Sequence, residues 1–311
     1  MRPPLDTRVS HHLSLQDDEP PGAAGLRALV VGEVLWDLFP DSVRLGGAPL
    51  NFAVHLARLG HAPLLVSAVG TDRLGDDARA AIARLGLDTT ALQSTARFGT
   101  GTARVRLEPD EQTSFAIERP AAYDAIELSD NDFERFAGTN PGWLYFGTLF
   151  PSRPEARRIL SRLLDRLPGA KRVYDVNLRP GFEAPELVEQ LLQHADAVKL
   201  NERELQFVHE HLRLPLDPEA FCRAGADRYG WMAACVTFGS RGCAVLAGGD
   251  YATAPGVPIT AGDPVGAGDA FAAAFVHGVA SGWPAARVAS IANRIGAHVA
   301  ATPGAIPSAT R

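Results

Sequence analysis

The sequence predicts an α/β protein of three layers, with a mainly parallel central sheet, helices on both of its faces and a small second β-sheet. Three observations predict it. From residue 143 onward, short apolar runs alternate with stretches of helical length, and such βα units pair their strands in parallel through helical crossovers. Between residues 100 and 117 the pattern changes to β-branched residues alternating with charged ones around Pro109-Asp110, as in a hairpin exposed on one face. Finally, Asp263-Pro264-Val265-Gly266-Ala267-Gly268-Asp269-Ala270-Phe271 passes from a Gly-rich turn into an Ala-rich continuation as far as Gly278, the composition of a tight loop opening into a buried helix.

Taken in order, residues 1–25 are rich in Pro, Asp and His and lack an apolar signal-peptide core; a disordered tail is expected there, with His11 and His12 solvated. Residues 26–311 are expected to form one domain. The run 28–32 reads as a buried strand, and 33–39 continues extended with Asp37 among apolar neighbours. A carboxylate at a strand end can accept two hydroxyl hydrogens from a polyol. Its bland alternative is a solvated turn residue near Pro40. Gly46 and Gly47 let backbone approach a ligand, Pro49 suits a helix start, and residues 53–59 are helical in composition until Gly60. Asn51 projects from the first turn, where its amide can match a hydroxyl in either sense or act as a local cap. His55, on the same helix, is expected to be packed or exposed rather than catalytic.

Residues 64–69 read as a strand and 75–85 as a helix closed by Gly86. The segment 36–45 can join 100–118 in the small sheet, where Arg104 either reaches a substrate oxygen or is solvated. Strands at 143–146, 172–175 and 197–200 then alternate with helices at 154–167 and 184–194. Ligands of open α/β sheets collect at the carboxyl ends of the strands, which gathers Asp175, Asn177, Arg179, Asn201 and Glu204 at one rim. Asn201 and Glu204, three apart at a helix opening, also fit an ordinary capping box. Residues 236–239 end a strand and lead through Gly242 into a short hairpin, and 283–301 is a final helix carrying Asn293.

Composition narrows the function. A chain of 311 residues with 46% apolar content can bury a large core, and a net charge of −6 leaves no general basic field for nucleic acid. Lys171 and Lys199 are the two lysines among 30 basic residues, and neither follows a glycine, which excludes a Walker phosphate loop. Cys222, Cys235 and Cys243 are odd in number and lack a CxxC spacing, against both a disulfide framework and a zinc knuckle and in keeping with a reducing cytoplasm. No apolar run approaches the ~18 residues of a membrane span. A dinucleotide fold is set aside because Phe271 stands at the third position of the glycine fingerprint.

Gly266 and Gly268 let successive N–H groups turn toward one point, and the helix that follows adds positive potential there. Asp269 beside that anion nest can take a proton from a hydroxyl while the nest stabilises charge on a phosphoryl group. The alternative is a plain helix cap.

Gly46-Gly47-Ala48-Pro49-Leu50-Asn51-Phe52-Ala53 with Gly60 and Gly70, and then residues 263–276, resemble in the right order the two signatures of the ribokinase-like (PfkB) sugar kinases. The segments 175–179, 201–204 and 237–242 are similar to further landmarks of that family, and the resemblance covers roughly residues 27–307. Pro264 stands where the family most often has Thr, and Ala274 where it most often has Gly; neither change removes a reacting group. The resemblance implies a ribokinase-like fold whose small sheet is a lid, an ATP- and magnesium-dependent transfer to a sugar, and a homodimer formed through the lid. It implies Asp269 as base with Gly266, Ala267 and Gly268 as anion hole. Asp37, Gly46, Gly47, Asn51, Arg104, Asn177 and Arg179 would serve the sugar. Asn201, Glu204, Thr237, Gly239, Gly242 and Asn293 would serve the nucleotide, Glu204 acting indirectly on Mg2+. Asp263, with carbonyls of residues 301–304, would hold K+. The segment 118–124 is similar to fructokinase-like members, so fructose is the expected acceptor; a 2-keto-3-deoxygluconate kinase, a nucleoside kinase and a catalytically silent sugar-binding regulator are the alternatives.

Overall fold

The computed structural model describes residues 25–107, 113–259 and 262–307. Along it run β1 (Arg27–Val31), β2 (Leu35–Leu38), β3 (Val43–Gly46), α1 (Ala48–Arg58), β4 (Ala62–Gly70), α2 (Arg73–Arg84), β5 (Leu92–Thr95), β6 (Gly101–Leu107), β7 (Thr113–Glu118) and α3 (Asp130–Gly138). There follow β8 (Trp143–Gly147), α4 (Pro154–Arg166), β9 (Lys171–Asp175), α5 (Pro185–His194), β10 (Ala197–Asn201), α6 (Glu202–Leu212), α7 (Pro218–Tyr229), β11 (Ala233–Thr237), β12 (Gly242–Ala247), β13 (Asp250–Pro255), α8 (Ala267–Ala280) and α9 (Ala285–Ala300). The tail expected at residues 1–25, apart from Gly25, and the turn expected at Pro109-Asp110 lie outside the described residues.

Among the described residues the large sheet has nine strands in the order β13-β12-β11-β10-β9-β8-β1-β4-β5. Pairing is parallel from β11 to β5, while β12 and β13 are antiparallel additions at one edge. Parallel strands covered on both faces must be apolar on both, and β1 illustrates the division. Its Leu29 and Val31 join Phe133, Leu160, Leu191 and Phe221 on one face. Ala28 and Val30 join Phe52, Ile82, Phe275 and Val288 on the other. Each of the larger of these side chains, fully buried, contributes roughly 1.5–3 kcal/mol.

Helix α8 is buried from Ala270 through Gly278, so it is apolar around its circumference except at His277, whose Nδ1 lies 2.8 Å from His61 Nε2. It must also be thin. A Cβ on Gly278 would come within 3.0 Å of Val288 of α9, and one on Gly296 of α9 within 3.2 Å of the Ala267 carbonyl. Small residues thus let α8 and α9 approach, which explains the Ala-rich run.

The smaller sheet has the order β3-β2-β6-β7, with β2–β3 and β6–β7 antiparallel and β2–β6 parallel. The run 33–39, read as extended, does not continue β1: the chain leaves the large sheet at Gly32 and enters the small one at Leu35, and β2 and β3 lie in the small sheet as expected for residues 36–45. Gly32 has φ 153°, and a Cβ there would lie 2.5 Å from the Pro49 ring, so the turn closes tightly over the start of α1. Helices α3 and α7, absent from the expectations, carry local caps: Ser129 accepts from the Asp132 N–H and Asp217 from the Ala220 N–H. His55 is buried, its Nε2 2.9 Å from the Ala305 carbonyl oxygen, which fits a packed residue. No helix among the described residues is long and apolar enough to cross a membrane.

Gly225 in α7 tests how tightly the layers fit, because a Cβ there would collide with the Trp231 ring, itself anchored by Nε1 donating to the Leu192 carbonyl at 2.9 Å. Alanine is the better helix former by about 1 kcal/mol, yet overpacking costs roughly 1–3 kcal/mol. Gly225→Ala is therefore expected to lower Tm in a thermal melt; an unchanged or higher Tm would show that the ring yields.

Candidate active site

Strands β1, β8, β9, β10 and β11 end at one rim, and strand order reverses beside β1: the chain fills β4 and β5 on one side and β8 onward on the other. Open α/β sheets form their crevice at such a switch point. Here a cavity of about 210 Å3 is walled by Asp37, Asn51, Asn177, Arg179, Asn201 and Asp269, and the smaller sheet adds Leu35, Ala103 and Ile117 beside Asp37. A neighbouring cavity of about 510 Å3 is walled by Gly239, Gly242, Ala267, Phe271 and Asn293. Thr237, Pro264 and Gly268 line both, so the two meet at the start of α8.

The geometry at that junction follows from two glycines. Gly266 caps α8 with φ 80°, and a Cβ there would collide with Ala305. Gly268 bares the backbone over Lys199, whose Nζ would be 3.3 Å from an added Cβ. The Ala267 N–H donates to the Pro264 carbonyl at 3.2 Å, closing the turn. Asp269 then lies in the first turn of α8 and accepts from Asn51 Nδ2 at 2.8 Å. Asn51 Oδ1 is buried without a partner among the described residues, an acceptor left for a hydroxyl donor.

The rim gathers acids out of water. Burial pushes Glu33 up to about 7 against the pull of Arg179 and Arg119. Burial likewise raises Asp37 to about 7 against Arg179. Asp269 rises to about 6, through burial and the neighbouring Asp175 and against Lys199 and the Asn51 bond. Beneath them Lys199 is 5% exposed and donates to Asp175 Oδ1 at 2.9 Å, while the Tyr145 hydroxyl donates to Oδ2 at 3.2 Å. Burial opposes the lysine charge, but Asp175, Glu204 and Asp269 hold its pKa above the ordinary value.

The structure distributes the expected site residues unevenly. Gly47, at φ 112°, and Gly266 join the wall of the smaller cavity, whereas Gly46 stands behind Asp37 and makes room for its carboxylate. Asn293 lines the larger cavity and donates to the Pro255 carbonyl at 2.6 Å. Glu204 realises the capping box: its oxygens accept from the Asn201 N–H at 2.8 Å and the Leu178 N–H at 3.0 Å. It acts on the rim through the backbone it holds.

Two expectations are corrected. Arg104 does not face the cavity: Ala103 and Ile117 do, so strand alternation turns Arg104 to the other face, where Nε pairs with Glu118 at 2.9 Å. Asp263 does not fit a potassium ion, because Oδ2 takes Arg44 Nη1 at 2.6 Å and the Gly304 N–H at 3.0 Å, and Oδ1 takes the Val265 N–H at 3.1 Å. A second cation would meet a guanidinium already in place. Two charged wall residues went unanticipated, Glu33 and Lys199. Each is a charge inside an apolar strand context, the same signal that singles out Asp37.

A phosphoryl group moving to a hydroxyl needs donor and acceptor on either side of one anion hole, with a base at the acceptor. Such an arrangement belongs to phosphotransferases with an alcohol group as acceptor. Known proteins agree with that class. Residues 34–311 match the pfkB family carbohydrate kinase profile. The chain is 30% identical over 298 residues to a fructokinase of Escherichia coli, covering 89% of this chain and 94% of that one. The fold matches 2-dehydro-3-deoxygluconokinase of Thermotoga maritima with TM-score 0.80 at 21% identity, covering 91% and 95% of the two chains. It also matches a fructokinase of Vibrio cholerae O395, solved with fructose, ADP and calcium, with TM-score 0.73 at 22% identity over 91% and 95%. The chain belongs to the pfkB family of carbohydrate kinases.

A carboxyl whose folded pKa is raised lends stability that is complete below its ordinary value and disappears as pH rises through the folded one. For Glu33 that window runs from 4.5 to about 7. Glu33→Gln removes the ionisation, so its Tm relative to wild type is expected to be higher at pH 8 than at pH 5. An equal difference at both pH values would contradict a buried acid at this position.

Proposed function

We propose that this protein is an ATP-dependent sugar kinase whose acceptor is a neutral sugar, fructose foremost. The observation that carries this reading is the charge of the smaller cavity. Glu33, Asp37 and Asp269 all line it, and with Arg104 on the outer face its cations are Arg179 and Lys199, the latter committed to Asp175. Carboxyl groups suit the many hydroxyls of a polyol and repel a sugar acid. That disfavours 2-keto-3-deoxygluconate. The described wall of this cavity carries no aromatic ring on which a nucleoside base could stack. The names of the E. coli and V. cholerae relatives support fructose.

On this reading the sugar lies under the lid against Asp37 and Asn51, and the nucleotide fills the larger cavity. The fit is supported by the bare backbone at Gly268 and by Gly239 and Gly242, whose φ values of 58° and 106° shape the loop beside that cavity. The start of α8 faces the travelling phosphoryl group, and its first-turn N–H groups and dipole stabilise developing negative charge. Asp269, with its pKa near 6, is ionised at neutral pH and takes the acceptor proton; Asn51 holds its carboxylate in place. Magnesium would supply charge neutralisation of the phosphates. The described residues contain no cluster of three or more metal-ligating side chains, in keeping with an ion that arrives on the nucleotide. The three cysteines are free and buried, which supports a cytoplasmic location.

The test is ADP release with magnesium over fructose, ribose, 2-keto-3-deoxygluconate and nucleosides. Fructose is expected to give the highest kcat/KM; a higher value for the sugar acid would overturn the argument from cavity charge. Asp269→Asn is expected to leave ATP affinity within about a few fold while lowering kcat by about 10²–10⁴. Turnover near wild type would remove Asp269 as base and reopen the reading of a sugar-binding protein without catalysis.

A further inference from the structure

One ion pair joins the lid to the loop ahead of α8. Arg44 of β3 stands opposite Asp37 across the β2–β3 pairing, and its guanidinium lies 4.4 Å from the centroid of the Phe39 ring. Its Nη1 reaches Asp263 Oδ2 at 2.6 Å, across 219 positions of sequence. The Asp263 carboxylate is itself a junction. It accepts the Val265 N–H of its own loop and the Gly304 N–H of the C-terminal turn, and that turn packs on Gly266 through Ala305. Lid, loop and turn therefore meet on two oxygen atoms.

A carboxylate just ahead of an anion nest works against an incoming polyphosphate unless its charge is cancelled nearby. Cancelling it with a bound monovalent ion needs several free oxygen ligands, and here the Asp263 oxygens already take three donors. A guanidinium supplies the same charge, is always protonated, and is fixed in direction by the strand that carries it.

We propose that Arg44 is a positioning residue acting as the built-in cation of the phosphate loop, so that this kinase organises its anion nest through the lid and needs no monovalent ion. The proposal rests on the reading of residues 266–269 as the phosphoryl site. Because Arg44 and Asp37 are cross-strand neighbours, a sugar held on Asp37 steadies the strand that positions the loop. Acceptor binding and nest geometry are coupled by one side chain.

Two measurements test this, one independent of turnover. In the first, wild type, Arg44→Ala, Arg44→Lys and Arg44→Ala/Asp263→Ala are assayed with the best acceptor in KCl, NaCl, LiCl and tetramethylammonium chloride at equal ionic strength, with and without millimolar guanidinium. Wild type is expected to run at one rate in all four salts. Arg44→Ala is expected to lose kcat by about ten- to a hundredfold, the order of effect of a small misplacement of reacting groups. Guanidinium or potassium should restore part of that loss, Arg44→Lys should retain more activity than Arg44→Ala, and the double variant should gain nothing from guanidinium. In the second, hydrogen exchange across residues 262–269 is compared between wild type and Arg44→Ala, with faster exchange expected in the variant and slowing by guanidinium. Potassium activation of wild type, wild-type kcat in Arg44→Ala, or unchanged exchange in the loop would each overturn the proposal. A protein that transfers phosphate to none of the acceptors would instead count against the proposed function, and the exchange result would still decide the role of Arg44.

Discussion

Much of this molecule depends on the buried pair of Lys199 and Asp175. They sit directly opposite each other on neighbouring parallel strands, and Tyr145 on the next strand donates to the same carboxylate. Breaking such a pair leaves an uncompensated buried charge, a loss on the order of 3–5 kcal/mol, so the register of β8, β9 and β10 is held by chemistry as well as by packing. The pair is also the floor of the rim. Gly268 lies just above Lys199, and Asp269 feels both partners with opposite sign. A neutral floor would remove both of those opposing pulls and leave the burial of Asp269 to be offset by the Asn51 bond and Arg179.

The rim shows why acids cluster where water is scarce. Glu33 and Asp37 have pKa values near 7 and Asp269 near 6, so small changes in what fills the cavity shift how protons are shared among them. On the proposed reading, a hydroxyl-rich ligand meets groups that can both accept and donate. The same carboxyls are unfavourable neighbours for an anionic ligand, so the electrostatics of the wall and the chemistry of the acceptor point the same way.

How far the sequence discloses this can be followed residue by residue. Helix α8 is legible because a glycine turn followed by small apolar residues has few other uses, and the alternating βα pattern makes the sheet legible. Asp37 stands out as a charge among apolar neighbours. By the same criterion Glu33 and Lys199 were open to detection, but neither forms part of a short motif, and Lys199 lies 70 positions from Asp269, which its charge reaches. The facing of Arg104 depends on which side of the smaller sheet points inward, and period-two alternation does not say which parity is buried until β6 is paired with β2. The Arg44–Asp263 pair is hidden for another reason: a long-range ion pair leaves no periodicity in the chain, and a carboxylate lacking a cation nearby in sequence invites the idea of a bound ion. Glu204 shows two readings of one motif meeting, since the capping box is formed and the same carboxylate also holds the Leu178 backbone.

The smaller sheet is assembled from segments far apart in the chain, β2 and β3 before α1 and β6 and β7 after β5, and its Arg44 is tied to a loop near residue 263. The bond between Asn51 and Asp269 spans 218 positions. Contacts of such long range are costly in loop-closure entropy and are made late in folding. During synthesis, the segments carrying Asp37 and Asn51 leave the ribosome well before α8 exists, at a rate of roughly 5–20 residues per second. For on the order of ten seconds or more, the nascent chain holds its acidic half-site without the helix that completes it. The pairing of Asn51 with Asp269 therefore waits for α8, which packs between α1 and α9.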